Sequence, residues 1–288
     1  MKKFLFLIFL LLVFVCPADA IKIGLQTDVN SANIGTSVDG AIINARTNRT
    51  VTELKGMKGY QVIPRANNKM ALKSRNGVLE IDSDRIVIKP LTAGFVCAKR
   101  RWYRGILIIQ SRNNALTVIN DIDIENYLKG VIPAEMPSGW DVEAHKAQAI
   151  AARSYALANL GKRADKGYDL NDTPADQAYG GASAEKKSTS LAVQETQGIV
   201  LTHDQKIISA FYTSSAGGRT KSATSAWGKN IPYIRSVPSY DGSTGVRGHG
   251  VGMSQHGANN LAKKGYNAYQ ILKYFYKDVS FARLKTDV

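Results

Sequence analysis

The chain has 288 residues, of which 44% are hydrophobic, so it is long enough to bury a sizeable core in one or two domains. It carries 38 lysines and arginines against 23 acidic residues, and the resulting net charge of +15 favours an acidic partner. If the N-terminal segment described next is removed, Cys97 is the one remaining cysteine, which excludes an intramolecular disulfide bond.

The N-terminus has the pattern of a secretory signal peptide. Lys2 and Lys3 precede an apolar run over residues 4–15, and Ala18-Asp19-Ala20 offers a small-x-small cleavage site. The apolar run is shorter than a bilayer-spanning helix usually needs. We therefore expect residues 1–20 to be removed and the protein to be exported to the periplasm or cell envelope, which argues against nucleic acid as the acidic partner. An uncleaved membrane anchor is the alternative.

Residues 21–120 are predicted to form a β-rich N-terminal module. Short alternating apolar runs are separated there by glycine, asparagine and aspartate, and no helical periodicity of useful length interrupts them. The predicted strands are 21–25, 41–44, 59–63, 69–72, 78–81, 85–88, 104–109 and 115–119. A scaffold role and a glycan-docking role fit this module equally well.

Residues 121–288 are predicted to form a mixed α/β domain around one long alanine-rich helix, which gives an α+β fold overall. Asp123 can cap a short helix that ends at Gly130, and Asp141 can cap the long helix, which is expected to run to residue 160. Pro137 favours an extended conformation for the residue before it, so Glu135 is expected to lie in a turn between the two helices.

The rest of this domain alternates loops with short elements. Residues 161–182 are polar and glycine-containing, which predicts a loop over the long helix. Further helices are predicted at 188–195, 255–264 and 268–276, and a strand pair at 198–201 and 206–212.

A series of motifs resembles the stage II sporulation protein D family (the SpoIID/LytB type). The central stretch is IENYLKGVIPAEMPSGWDVEAHKAQAIAARSYAL at 124–157. The other blocks, in family order, are YRG at 103–105, LTVIN at 116–120, QAYGG at 177–181, YTSSAGGRT at 212–220, Trp227 and GHGVGMSQHG at 248–257. Characterised members of this family are lytic transglycosylases that act on peptidoglycan.

The resemblance implies that Glu135 is a single general acid/base. Such an enzyme cleaves the MurNAc–GlcNAc bond without water and leaves 1,6-anhydroMurNAc ends, so the second carboxylate of an ordinary glycosidase is not needed. No acid lies closer to Glu135 in sequence than Asp141. Acid function at neutral pH needs an apolar environment, which Ile132, Met136 and Trp140 could supply. A purely structural acid is the alternative.

Two cations and several polar side chains are candidates for substrate binding. Lys146 and Arg153 are two helical turns apart and share a face, where they could bind lactyl or N-acetyl oxygens, or could simply be solvated. The family blocks add Gln177, Tyr179, Tyr212, Ser214, Ser215, His249 and Gln255, whose groups suit a sugar but also suit an ordinary turn and its flanking strands. We interpret His256 as structural.

No cofactor or metal is predicted. The loop after the long helix lacks the cysteines and histidines through which some family members bind zinc, and a site built from His145, His249 and His256 has no supporting ligand spacing. The partners expected from the resemblance are peptidoglycan glycan strands, stripped of stem peptides, and a cell-wall amidase. The alternative function is a non-catalytic glycan-binding module that recruits or enhances such an amidase. A weaker alternative is a serine hydrolase that uses Ser214 or Ser215 with His249, but the sequence has no nucleophile-elbow motif.

Overall fold

A computed structural model describes residues 13–14, 20–242 and 245–284. The predicted signal peptide falls almost entirely outside these residues, so its cleavage stays a prediction. Among the described residues, no helix combines the length and apolarity needed to cross a bilayer.

The described residues form an α+β fold, as predicted. The strands are β1 (Val13–Phe14), β2 (Ala20–Val29), β3 (Ala32–Thr36), β4 (Gly40–Asn44), β5 (Thr50–Leu54), β6 (Gly59–Pro64), β7 (Met70–Ser74), β8 (Gly77–Ile81), β9 (Arg85–Pro90), β10 (Val96–Ala98), β11 (Arg101–Tyr103), β12 (Ile106–Arg112), β13 (Ala115–Asp123), β14 (Leu170–Asn171), β15 (Ile199–His203), β16 (Lys206–Ile207), β17 (Tyr212–Thr213), β18 (Ser215–Ala216), β19 (Val246–Arg247), β20 (Met253–Ser254) and β21 (Ser280–Leu284). The helices are α1 (Ile124–Glu135), α2 (Val142–Ala158), α3 (Lys187–Glu195), α4 (Ala223–Trp227), α5 (Gln255–Ala262) and α6 (Ala268–Phe275).

The N-terminal strands belong to two mainly antiparallel sheets. A seven-stranded sheet has the order β14-β2-β13-β12-β9-β4-β5, and a six-stranded sheet has the order β11-β10-β3-β6-β7-β8. Each predicted strand of residues 21–120 is present, with its ends shifted by a few residues. Strands β3, β5, β10 and β11 were not predicted, because their short runs carry too little apolar alternation to stand out from turns.

One hydrophobic core joins the two predicted domains. It contains Ile23 and Leu107 of the seven-stranded sheet together with Leu128 of α1 and Tyr155 of α2. Strand β14 also comes from the predicted second domain, yet it pairs in parallel with β2. The proposed boundary after residue 120 therefore lies inside β13, and the two parts share one packed interior.

Helix α1 is longer than predicted. The prediction that it ends at Gly130 is wrong: Gly130 is an interior residue, and a Cβ atom there would lie 2.6 Å from the Tyr179 ring and 2.9 Å from the carbonyl oxygen of Gly181. This glycine permits close packing rather than a helix stop. Met136, which precedes Pro137, is extended, as expected, and the helix ends before it. The prediction that Glu135 lies in a turn is wrong, because Glu135 is the last residue of α1.

Helix α2 is the element around which the C-terminal half packs. Asp141 caps it by accepting a hydrogen bond from the backbone N–H of Glu143, and the helix ends at Ala158, two residues before the predicted end. All of its alanines except the terminal Ala158 are buried, which lets α1, α3, α5, α6 and β15 all approach it closely.

The elements after α3 are partly as predicted. Helices α3, α5 and α6 occur near their predicted positions, and Asn267 forms a capping box with Gln270 at the start of α6. The predicted strand at 206–212 is present only as its two ends, β16 and β17. Helix α4 and strand β21 were not predicted.

Arg153 and Lys146 share a face of α2, as predicted, but that face meets α1 and α3 and not a ligand. The Arg153 side chain has 0% exposure, its Nε and Nη2 each donate to Glu125 at 2.7 Å, and its Nη1 donates to the carbonyl of Ile199 at 3.0 Å. The substrate-binding role predicted for Arg153 is therefore corrected to a buried structural ion pair. Lys146 pairs with Glu143 and Glu195, which satisfies its charge within the protein.

Loss of the buried Arg153 should cost far more stability than loss of Lys146. Arg153→Met leaves the 18% exposed Glu125 side chain without its cation, and we expect the free energy of unfolding to fall by about 3–5 kcal/mol. Lys146→Met, the matched control, removes pairs that remain in contact with water and should cost less than about 1 kcal/mol. Urea unfolding at neutral pH measures both, and equal losses would contradict the assignment of Arg153.

Candidate active site

Glu135 lies in a pocket of about 470 Å³ at the C-terminal end of α1. Such a volume is in the range of small-molecule sites. Its walls come from chain segments far apart in sequence: Tyr155, Lys162, Pro174, Ala175, Asp176, Phe211, Tyr212, Thr213, Ser214, Trp227, Arg247, Gly248, His249 and Gln255. The pocket therefore combines aromatic walls with two acids, cations and hydroxyl groups.

The carboxylate of Glu135 accepts hydrogen bonds from three neutral donors. The backbone N–H of Ala178 donates to Oε1 at 2.7 Å, and the Tyr212 hydroxyl approaches the same oxygen at 3.4 Å. The Gln255 side-chain amide donates to Oε2 at 3.3 Å. Both carboxylate oxygens are thus oriented without a cation.

Burial raises the pKa of Glu135 above its ordinary value, although the hydrogen bonds from Ala178, Gln255 and Tyr212 act in the opposite direction. The position of Glu135 as the last residue of α1 adds to the effect of burial, because the C-terminal end of a helix carries partial negative charge. The raised pKa is the direction that acid function requires.

The apolar environment differs from the one expected. Ile132 and Met136 are buried in the core, and Trp140 packs edge-on against His256 with ring centroids 4.7 Å apart. The pocket walls instead contain Phe211 and Tyr155. The expectation of an apolar surround therefore holds, but residues from other segments supply it.

A chain of hydrogen bonds leads from the core to Glu135. The buried Tyr127 hydroxyl donates to Gln177 Oε1 at 3.2 Å, and Gln177 Nε2 donates to the Tyr212 hydroxyl at 2.9 Å. The Tyr212 hydroxyl is then left to donate to Glu135. Gln177 is fully buried, so its predicted contact with substrate is corrected to a positioning role behind Tyr212.

Two further residues that were predicted to bind substrate are buried and make structural contacts. Tyr179 is buried, donates to Asn120 Oδ1 at 2.9 Å, and packs between the rings of Tyr103 and Tyr127. Ser215 is also buried, and its hydroxyl donates to the carbonyl of Gly245 at 2.9 Å. Their predicted contacts with substrate are therefore corrected to structural ones.

The other predicted residues line the pocket, namely Tyr212, Ser214, His249 and Gln255. Strand β17 pairs with β20, with Tyr212 opposite Met253, and this pairing brings Tyr212 and Gln255 to the same carboxylate. Gly252 allows this pairing, because a Cβ atom there would lie 1.8 Å from the carbonyl oxygen of Phe211.

His249 is held in the wall of the pocket as a neutral imidazole. The backbone N–H of Val251 donates to its Nδ1 at 3.0 Å, which leaves the proton on Nε2, and burial lowers the pKa of the ring. The Trp227 ring packs edge-on against it at 5.5 Å. In the described part of the chain, no hydrogen bond joins this histidine to a serine, which does not favour a serine hydrolase.

Lys162, Asp176 and Arg247 line the pocket but were not predicted to do so. Lys162 Nζ binds Asp176 Oδ1 at 2.6 Å, and Arg163 Nε binds Oδ2 of the same carboxylate at 2.7 Å. Burial opposes the charge of Asp176, but the hydrogen bonds from Arg163, Lys162 and the Asn171 backbone outweigh it and lower the pKa. Sequence spacing gave no signal for these residues, because Lys162 and Asp176 lie 14 positions apart in a mostly irregular segment and Arg247 lies in the distant strand β19.

Asp241 fixes the loops that form one side of the pocket. It accepts hydrogen bonds from the backbone N–H groups of Ala216 and Gly218 and from the hydroxyls of Ser239 and Ser254. Burial opposes its charge, but these four donors lower its pKa to about 2. It is a buried structural anion that sequence reading missed.

The described residues contain no group of three or more histidine, cysteine or acidic side chains placed to hold a metal ion. His145 is buried with its Nε2 3.0 Å from the carbonyl oxygen of Pro137, and His256 packs on Trp140. The expectation that no zinc is bound stays a prediction.

The chain is similar to proteins named for sporulation and for amidase enhancement. Residues 112–203 match the family described as SpoIID, stage II sporulation protein. An uncharacterised protein of Brachyspira hyodysenteriae is 32% identical over 200 residues, which are 69% of this chain and 50% of that protein. The amidase enhancer of Bacillus subtilis is 43% identical over 107 residues, 37% of this chain and 14% of that protein.

Stage II sporulation protein D of Bacillus subtilis is 28% identical over an alignment of 311 residues that covers 75% of this chain and 88% of that protein. The chain therefore spans nearly all of this relative, but only half of the Brachyspira protein and a small part of the amidase enhancer.

The Asp241 hydrogen bonds predict a stability contribution that depends on pH. The pKa is lowered from 3.8 to about 2 in the folded state, so the contribution is complete above the unfolded-state pKa and is lost as pH falls toward the folded-state pKa. We expect Asp241→Asn to lower the free energy of unfolding by about 2 kcal/mol at pH 7, with the loss shrinking from about pH 5 to about pH 3.

Urea unfolding across that pH range measures the loss, with Asp82→Asn as the control because the Asp82 side chain is 86% exposed. The control should stay close to the parent protein at every pH. An Asp241→Asn loss of constant size throughout the range would contradict the assigned role.

Proposed function

Because the chain belongs to the stage II sporulation protein D family, and because its pocket contains a half-buried carboxyl with a raised pKa, we propose that it is a lytic transglycosylase of peptidoglycan. Glu135 is the general acid/base. The observation that carries the proposal is that burial raises the pKa of Glu135 while no cation of the described residues binds its carboxyl group, which is the direction that proton donation requires.

The reaction balances with one carboxyl group. Protonated Glu135 gives its proton to the glycosidic oxygen between MurNAc and GlcNAc, and the bonding pair leaves with that oxygen while positive charge develops at MurNAc C1. The Glu135 carboxylate then takes the proton of the MurNAc C6 hydroxyl, whose oxygen forms the new bond to C1. The product ends in 1,6-anhydroMurNAc, no water is consumed, and Glu135 recovers its proton.

The state of Asp176 favours this route over hydrolysis. Asp176 is a second acid in the pocket wall, but its side chain has 0% exposure and both of its oxygens are bound by cations. A carboxylate held in this way is poorly suited to activate water or to attack a sugar carbon. Glu135 is therefore the carboxyl available for proton transfer.

Lys162 and Arg247 supply the positive charge expected near the substrate, in place of Lys146 and Arg153. Both line the pocket, and Lys162 is already partly neutralised by Asp176. Arg247 is exposed, so its guanidinium can form a paired hydrogen bond with the lactyl carboxylate of MurNAc. Trp227 and the Nε2–H of His249 add an apolar wall and a donor for a sugar.

The proposed substrate implies export to the cell envelope, as the N-terminal pattern predicts. A second candidate function is enhancement of a cell-wall amidase without cleavage, and the 43% identity to the amidase enhancer of Bacillus subtilis supports it. The two candidates differ in whether Glu135 is required and in whether new glycan ends appear.

Glu135→Gln should abolish release of anhydro-ended products while leaving binding of glycan strands intact, because the amide keeps the shape of the side chain but cannot donate the proton. Mass spectrometry of strands with and without stem peptides, after incubation with residues 21–288, detects the ends. We expect activity to fall by at least about 100-fold. Glu53→Gln, which changes an exposed acid in β5, is the control and should cleave normally.

Equal cleavage by Glu135→Gln and the parent protein would remove Glu135 from the mechanism. Reducing ends in place of anhydro ends would mean hydrolysis. Binding without any cleavage by the parent protein would favour the amidase-enhancing function, which stimulation of a purified cell-wall amidase would then measure.

Arg247→Gln should weaken recognition of the MurNAc carboxylate. We expect KM for stripped strands to rise about tenfold with little change in kcat, because the lost contact is present before and during bond cleavage. Strands whose lactyl carboxyl groups have been amidated should show no such difference between variant and parent. Arg219→Gln is the matched control, since Arg219 is exposed but does not line the pocket. A fall in kcat alone would contradict this role.

A further inference from the structure

A second concave surface lies on the six-stranded sheet. Two adjoining depressions of about 360 and 420 Å³ occur beside the turns that precede β6 and β8. They share Gly59, Tyr60, Ser74 and Arg75, and we call the continuous surface the sheet groove. Its lining residues do not overlap those of the Glu135 pocket.

The sheet groove is strongly basic. It is lined by Lys55, Lys58, Lys73 and Arg75, all of which are exposed. Lys55 pairs with Asp39 at 3.0 Å, but within the described ranges no salt bridge reaches the other three cations and no acidic side chain lines the groove. The groove therefore presents unneutralised positive charge to a ligand.

Amide side chains continue the groove across neighbouring strands. Asn33 of β3 is directly opposite Gln61 of β6, which is directly opposite Lys73 of β7. Side chains at paired positions project from the same face of a sheet, about 5 Å from one strand to the next. The three form a row of two amides and a cation, which suits the hydroxyl, N-acetyl and carboxylate groups of a linear polymer.

The turn at one end of the groove is strained and held by hydrogen bonds. Met57 adopts a left-handed conformation with φ 58°, which is uncommon for a side chain of its size, and its side chain is 71% exposed. Its backbone N–H donates to Thr36, the Gly56 N–H donates to Asp39, and the Lys55 N–H donates to the Tyr60 hydroxyl. These three hydrogen bonds from backbone N–H groups fix the turn in a conformation that leaves the apolar Met57 side chain exposed to solvent, as expected for a contact surface.

We propose that the sheet groove binds a polysaccharide strand that carries carboxylates. Cations, amides in a row and one apolar contact match a charged sugar chain. A single-stranded nucleic acid would need aromatic faces for base stacking, whereas Tyr60 is half-buried and its hydroxyl is engaged at the turn. The proposal goes beyond the proposed function, because the groove can hold a strand whether or not Glu135 cleaves it.

The test uses residues 21–288 carrying Glu135→Gln, so that no strand is consumed during binding. Fluorescence anisotropy with peptide-stripped, MurNAc-containing strands gives Kd for this parent and for Lys73→Glu/Arg75→Glu. We expect the groove variant to bind about tenfold more weakly, and expect the difference to shrink as salt is raised. Lys206→Glu/Lys263→Glu makes the same change in net charge on exposed residues outside the groove and should bind like the parent.

Thermal unfolding of each variant checks that it is folded, and Lys73→Gln/Arg75→Gln tests the groove with a smaller change in charge. Equal binding by the groove and control variants would overturn the proposal. An equal loss for uncharged chitin oligosaccharides would overturn recognition of carboxylates, and tighter binding of single-stranded DNA than of glycan would overturn the choice of ligand. Because cleavage is not measured, these outcomes are independent of those for Glu135→Gln.

Discussion

The candidate site depends on one carboxyl group, that of Glu135, which is half-buried and has no cation of the described residues bound to it. Glu135 is the last residue of α1, where the helix end disfavours negative charge, and its oxygens meet a backbone N–H, an amide and a phenol. A cation in any of these positions would lower the pKa of Glu135, which is the opposite of what the proposed acid function needs. The three neutral donors orient the carboxyl group of Glu135, and its pKa stays above the ordinary value.

The cations described next form their ion pairs with acids other than Glu135. Arg153 is among the largest fully buried side chains of the described residues, and Glu125 binds it. Lys162 reaches the pocket wall and is bound by Asp176, which also holds Arg163. Positive charge is thus present near the proposed substrate. Glu125 and Asp176, and not Glu135, form the ion pairs with these cations.

Much of the fold could be predicted from the sequence because its elements leave local signals, whereas the role of Glu135 rests on the family resemblance and stays a prediction. Apolar alternation marked the longer strands, and Pro137 marked the extended conformation of Met136, although α1 was expected to end at Gly130 and runs on to Glu135. The spacing of Lys146 and Arg153 correctly implied a shared face but carried no information about what covers that face. Gly130 was taken for a helix stop because its contact with Tyr179 is 49 residues away in sequence. Lys162, Arg247 and Asp241 act through long-range contacts, which single-sequence patterns do not encode.

The long sequence separations within the pocket have a consequence for an incomplete chain. Gln255 contacts Glu135 from 120 residues later in the chain, and the loop that contains Ala178 is anchored by the pairing of β14 with β2. Contacts between residues so far apart require closure of a long loop, whereas the helix that carries Glu135 is held by local hydrogen bonds. A chain cut short before Gln255 therefore retains Glu135 but lacks one of the three donors that orient its carboxyl group.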